Sequence, residues 1–152
     1  WKLRLIGGTR LDLDEEELTL VENLAESVIV DGWLEGKAKE KAFRNAAIYC
    51  LPSYFEGFPM GILDAWGAKC AVIATKVGGA EDFFDSDNVA EIRVGDVSDL
   101  SRKILAVVKS PELRADLSIK GFERGQKYAG YSVVRHNIHC LIDKANLSRT
   151  SD

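Results

Sequence analysis

The sequence has no surplus of positive charge, few cysteines and histidines, and no long apolar run. Each shortage closes off a class of function. The formal net charge is −4, and the charges are interspersed rather than blocked. There is therefore no basic stripe behind the acidic total, and no general attraction to nucleic acid or anionic lipid. The three cysteines, Cys50, Cys70 and Cys140, are an odd number without a Cys-x-x-Cys pair. Cys50 and Cys70 lie in apolar runs and read as buried, reduced thiols that suit a cytosolic protein. His136 and His139 stand three apart with no third ligand nearby, which argues against a metal site. No apolar run approaches the ~20 residues that span a bilayer. The opening residues 1–8 are too short in their apolar stretch for a signal peptide. They read as a strand already under way, so the chain is expected to be cut from something longer.

What is present suits one soluble α/β domain. The chain has 152 residues, 46% of them hydrophobic and 29% charged, enough for a single core. Residues 2–6 alternate and end at Gly7-Gly8, a strand and a tight turn. Residues 12–26 carry Leu13, Leu18, Val21, Leu24 and Ala25 at helical spacing, with acids in the first turn. The β-branched run 27–30 stops at Asp31-Gly32, and residues 35–45 read as a charged helix. Residues 46–51 are apolar throughout and closed by Pro52, which predicts a strand buried on both faces. A loop over 53–59 precedes a helix over 60–68, then strands over 71–74 and 90–94. Helices are predicted over 99–109, 111–128 and 132–147, the second with Pro111 in its first turn. Strands alternating with helices imply a Rossmann-like parallel sheet with helices on both faces, joined by right-handed crossovers. In such sheets ligands sit beyond the carboxyl ends of the strands.

Of the loops in that position, Pro52 to Ala65 is the informative one. Glu56 stands in the loop, and Asp64, eight residues on, about one turn into the following helix. Gly57 and Gly61 between them permit close backbone approach. The N–H groups of the first helical turn, at Met60, Gly61 and Ile62, bring the positive end of the helix dipole to the loop mouth, which suits a phosphate. Carboxylates on either side can accept hydrogen bonds from hydroxyls. A diphosphate flanked by hydroxyls is a nucleotide sugar. The Gly-Gly pairs do not form Gly-x-Gly-x-x-Gly, which argues against a nicotinamide enzyme.

The segment resembles the Glu-x7-Glu motif of the retaining glycosyltransferases of family 4, whose GT-B fold faces two Rossmann-like domains. Leu51-Pro52-Ser53 followed by Glu56-Gly57-Phe58-Pro59 is similar to the first half of that motif. Leu5-Ile6-Gly7-Gly8, Val30-Asp31-Gly32-Trp33, Val72-Ile73-Ala74-Thr75 with Val77-Gly78-Gly79, residues 96–100 and Tyr131-Ser132 follow in the family's order. The resemblance implies that residues 1–152 are a carboxy-terminal nucleotide-sugar-binding domain, without the amino-terminal acceptor domain and the upstream basic residues of the diphosphate site. It implies that Glu56 contacts the donor sugar or adjoining phosphate as the catalytic residue, and that Gly57, Phe58, Met60, Gly61 and Ile62 line sugar and diphosphate. It places Asp64 on the ribose hydroxyls, Gly8 near the phosphates, and Asp31, Gly32 and Trp33 near the base. Trp33 can equally be read as a packing residue, and Trp1 and Trp66 as core or interface surface.

The implied reaction moves a sugar from a nucleoside diphosphate to a glycan, lipid or small acceptor with retention. It requires no cofactor and no metal. The implied partners are the nucleotide sugar, the acceptor and the enzyme's own amino-terminal domain, with no nucleic acid. The implied location is cytoplasmic, any contact with the inner membrane face being made by that other domain. Several positions depart from the family pattern. Asp64 is one methylene shorter than the usual Glu, Lys69 stands where Gly is common and Ala71 where Pro is. The acid expected after Gly78-Gly79 is Glu81 or Asp82, the spacing favouring Asp82. A nucleotide-sugar epimerase and a non-catalytic nucleotide-sugar-binding domain are the alternatives. By itself the fragment is expected to be inactive.

Overall fold

The computed structural model describes residues 1–8, 10–80 and 84–129. The predicted helix over 132–147, Cys140, the His136–His139 pair, Tyr131-Ser132 and the acids Glu81 and Asp82 lie outside them. The chain forms two compact units, Trp1–Ala42 and the residues from Phe43 onward.

In the first unit, β1 (Leu3–Ile6) and β2 (Val28–Gly32) pair in parallel. Between them runs α1 (Glu15–Asn23), shorter at both ends than the spacing of its apolar residues suggests. Its start is fixed by a capping box. The Asp14 carboxylate accepts from the Glu17 backbone N–H at 2.8 Å, and the Glu17 carboxylate accepts from the Asp14 N–H at 3.0 Å. Asp12 belongs instead to a 3-10 turn, Arg10–Asp12. Helix α2 (Gly36–Arg44) leads from this unit into the next.

The second unit holds a parallel sheet in the order β3-β4-β5, of β3 (Ile48–Leu51), β4 (Ala71–Thr75) and β5 (Ala90–Ile92). Helices α3 (Met60–Gly67), α4 (Val97–Lys109) and α5 (Pro111–Ala129) cover it. The strand periodicity of two divides the core along β4. Val72 and Ala74 pack with Ile62, Ala65 and Trp66 of α3. Ala71 and Ile73 turn the other way, to Ile92, to Val107 of α4 and to Leu117 of α5. An α/β fold of parallel strands flanked by helices is therefore present.

One expectation needs correcting: β4 is buried throughout, whereas every residue of β3 is only half-buried. Among the described strands β3 pairs with β4 alone, so the apolar run 46–51 has less cover than the central strand. Its first residues form no strand, because Ala46 N–H turns back to the Phe43 carbonyl at 3.0 Å. Cys70 is fully buried and Cys50 half-buried, and both are free thiols. Burial pushes each up to about 11, so both stay protonated at neutral pH. No helix among the described residues is long and apolar enough to cross a membrane.

Helix α4 begins at Asp96, whose side chain accepts from the Asp99 N–H at 2.8 Å. Asp99 is itself buried, and accepts from the Arg93 backbone N–H at 3.0 Å and from the Arg102 guanidinium. The Arg93 amide above all, then Arg102, holds its carboxyl below the ordinary value. The end of α3 is a Schellman turn: Cys70 N–H bonds to Ala65 O at 2.9 Å and Lys69 N–H to Trp66 O at 3.0 Å. Lys69 takes the left-handed position there, with φ +60°. Its ammonium lies 4.9 Å from the Phe122 ring centre, which offsets part of the strain. A non-glycine residue in this region costs about 1–2 kcal/mol, against about 0.5–1 kcal/mol for a surface cation on a ring. Lys69→Gly is therefore expected to stabilise the chain by about 0.5 kcal/mol. Thermal unfolding checks this, and a lowered melting temperature would show that the ring contact dominates.

Candidate functional site

The candidate residues fall into two groups, one on each unit. In the first unit Gly8 and Gly32 come together at the ends of β1 and β2. Gly7 N–H bonds to Gly32 O at 3.0 Å, and a side chain on Gly32, whose φ is +73°, would reach 3.8 Å from Gly8 O. The Asp31 carboxylate is engaged by Arg4 through bonds of 2.7 and 2.6 Å from its Nε and a terminal nitrogen. This bidentate pair holds Asp31 below the usual carboxylate range, chiefly through the hydrogen bond itself. Asp31 thus ties β2 to β1 rather than presenting an unengaged carboxylate. Trp33 is 72% exposed, and its indole N–H donates to Glu35 Oε1 at 2.7 Å. It is no core residue; its faces are open and its edge is anchored.

The second unit carries Glu56 to Asp64. Pro52 stops β3, and the loop to α3 is held from two sides. Ser53 Oγ donates to Glu56 Oε1 at 2.6 Å. Thr75, buried at the end of β4, donates its hydroxyl to the Ser53 carbonyl at 2.6 Å. The side chain of Glu56 is therefore aimed by its own loop, and that loop is fastened to the central strand. On its other side the loop meets the turn after β4. Gly79 N–H bonds to Glu56 O at 3.1 Å. Any side chain on Gly78 or Gly79 would overlap the carbonyls of Glu56 and Gly57 respectively. Gly78-Gly79 does more than end a strand; it lets two loop backbones touch.

Helix α3 starts after Pro59 with no side-chain cap. Two of the first-turn amides are less free than the sequence suggests. Met60 N–H bonds to Phe58 O at 2.8 Å and Ile62 N–H to Pro59 O at 2.9 Å, because the chain doubles back tightly at Pro59. Ile62 is fully buried in the core beneath the helix, so its side chain is a packing group. Gly57 has open space where a side chain would be, as an approachable backbone needs. Gly61 does not: a Cβ there would overlap the hydroxyl of Tyr49 and stand 3.1 Å from its Cζ. Glu56 and Asp64 are both half-buried, while Tyr54, Phe55, Phe58 and Met60 are exposed around the loop.

Ser53, Thr75 and Tyr49 are the residues that residue-type reasoning passed over. Ser53 stands inside the recognised motif and could have been found there. Tyr49 gave no signal, since an aromatic within an apolar strand reads as core. Burial, and after it the negative charges of Glu56 and Asp64, push its phenol up to about 12.

The family model for group 1 glycosyl transferases matches residues 1–110. The chain belongs to that family. An uncharacterised glycosyltransferase of Methanocaldococcus jannaschii is 28% identical over 130 residues, covering 85% of this chain and 37% of that protein. The carboxy-terminal domain of a group 1 glycosyl transferase from Francisella tularensis superposes with a TM-score of 0.74 at 26% identity, over 84% of this chain and 69% of that one. Anabaena HepE, solved in complex with UDP and glucose, gives a TM-score of 0.81 at 16% identity, over 94% of this chain and 40% of that one.

 The fold is that of a GT-B glycosyltransferase's carboxy-terminal domain. This glycosyl transferase chain spans 37% and 20% of the lengths of two curated relatives that it matches.

Proposed function

We propose that this group 1 glycosyl transferase chain binds the nucleoside diphosphate sugar for a retaining, family 4 type transfer. Glu56 acts at the donor sugar or its adjoining phosphate, and Asp64 on the ribose. One observation carries this reading. The Glu56 carboxylate is held by Ser53 in a loop fastened to β4, at the mouth of a helix that brings Asp64 to the same end of the unit. A carboxylate fixed in advance loses little freedom when it accepts a ligand's hydroxyl or supports a charge change beside it.

The donor is a substrate, and the reading requires no cofactor or metal. HepE's complex with UDP and glucose supports a uridine nucleotide as the first donor to test. The acceptor, a glycan, lipid or small molecule, is assigned to an amino-terminal domain of the whole protein, as is any membrane contact. The chain itself is assigned to the cytoplasm, where nucleotide sugars are consumed, and is inactive without its partner domain. On the first unit, taken by itself, Trp33 with its exposed ring is assigned to stacking on a base, and Gly8 and Gly32 to close backbone approach by a ligand. The shortened Asp64 favours a second reading, a binding domain without turnover.

Calorimetric titration with UDP, GDP and their sugars tests the site. Glu56→Ala is expected to weaken nucleotide-sugar binding about tenfold, and Asp64→Ala to weaken the free nucleotide as well, each removing a charge-assisted hydrogen bond. Binding left unchanged by both substitutions would overturn the assignment. In the whole protein, donor binding without any transfer to an acceptor would favour the binding-domain reading.

A further inference from the structure

We propose that Tyr49 is a positioning residue of the donor site, its hydroxyl seated against Gly61 beneath the first turn of α3 and holding Asp64 for the ribose hydroxyls. This rests on the donor-site reading above. The Tyr49 ring is fixed by Phe43, 5.3 Å between ring centres and tilted at 45°. Its hydroxyl end fills the place of a side chain on Gly61. Residues three apart on a helix share a face, and helical side chains lean toward the amino terminus. Asp64 therefore shares with Gly61 the face of α3 that meets the phenol. The phenol of Tyr49 is a weaker acid for the same neighbourhood: burial first, then the charges of Glu56 and Asp64, push its pKa up.

The Tyr49 hydroxyl makes no hydrogen bond to a described residue, although the side chain is half-buried. A phenol can donate one hydrogen bond and accept others, whereas a carboxylate only accepts. Donation from Tyr49 through a bridging water would hold one oxygen of Asp64. That arrangement would fix the direction of a side chain one methylene shorter than the family's usual Glu. It also gives Gly61 a reason: any larger residue would displace the phenol.

Tyr49→Phe keeps the ring and removes only the oxygen. Two measurements on the full chain test the proposal. In the absence of ligand, thermal unfolding of Tyr49→Phe, Asp64→Asn and the double variant is expected to be non-additive. In calorimetry with UDP, GDP and ADP, Tyr49→Phe is expected to weaken binding about three- to tenfold, and to have no effect once Asp64→Asn is present. An equal loss in both backgrounds would show a merely structural role and overturn the proposal. Additive unfolding effects would overturn it as well. A wild-type chain that binds none of the three nucleotides would count against the donor reading itself. The ligand-free cycle would still decide whether Tyr49 holds Asp64.

Discussion

Gly121→Ala is expected to destabilise the chain by about 2 kcal/mol, lowering its melting temperature by about 4–8 °C. Gly121 lies inside α5, buried, and faces Trp66 of α3. An added Cβ would overlap Cδ1 and Nε1 of the indole and approach Cγ to 3.2 Å. Two effects compete. Alanine in a helix interior gains up to about 1 kcal/mol over glycine. Overpacking a close-packed core costs about 1–3 kcal/mol or more. Here overpacking wins, because Trp66 is itself fully buried between α3 and α5 and edges onto Phe84, at 6.5 Å between ring centres.

The clashing atoms belong to the five-membered ring of the indole, and among the described residues the Trp66 N–H has no hydrogen-bond partner to lose. Trp66→Phe should therefore recover part of the loss in the Gly121→Ala background. Gly67→Ala serves as the control, since its Cβ would meet nothing within 4 Å. Thermal and urea unfolding check both expectations. A Gly121→Ala protein as stable as the wild type would show that the helices separate at little cost.

Gly79→Ala is expected to cost about 3 kcal/mol of stability, or to relieve that strain by moving the Glu56 loop. The contact is between backbones. A Cβ on Gly79 would overlap the Gly57 carbonyl oxygen and stand 3.0 Å from its carbon. No rotamer change can clear a carbonyl, so a loop has to shift, and the Gly79 N–H bond to Glu56 O goes with it. A displacement of about 1 Å in a positioned group can cost on the order of a hundredfold in rate. On the donor-site reading, nucleotide-sugar affinity should fall tenfold or more, with a lower melting temperature. Calorimetry and thermal unfolding on the same sample separate the two losses. If both stayed at wild-type values, Gly79 would not be what holds Glu56 in place.

Much of this architecture is visible in local patterns. The apolar run at β4, the proline in the first turn of α5 and the loop-to-helix step at Met60 are each written in a few neighbouring residues. The motif around Glu56 is likewise a matter of order and spacing, and the family match over residues 1–110 agrees with it. Helix ends were less legible. The apolar periodicity of α1 runs past both of its caps, and hydrogen bonds at Asp14 decide where the helix starts. The run 46–51 looked like a fully buried strand, but burial depends on the neighbours that a strand acquires.

The contacts that shape the candidate site join segments far apart in the chain. Tyr49 reaches Gly61 only because β3 lies under α3. Gly79 touches Gly57 only because the turns after β3 and β4 meet at one end of a parallel sheet. Trp66 and Gly121 meet only when α5 packs on α3. Helix and strand periods, caps and motif spacings act over a turn or two of chain, so the residues alone carry them. Which glycine is indispensable, which carboxylate is aimed and which hydroxyl faces it arise from packing between distant segments, where each choice depends on all the others.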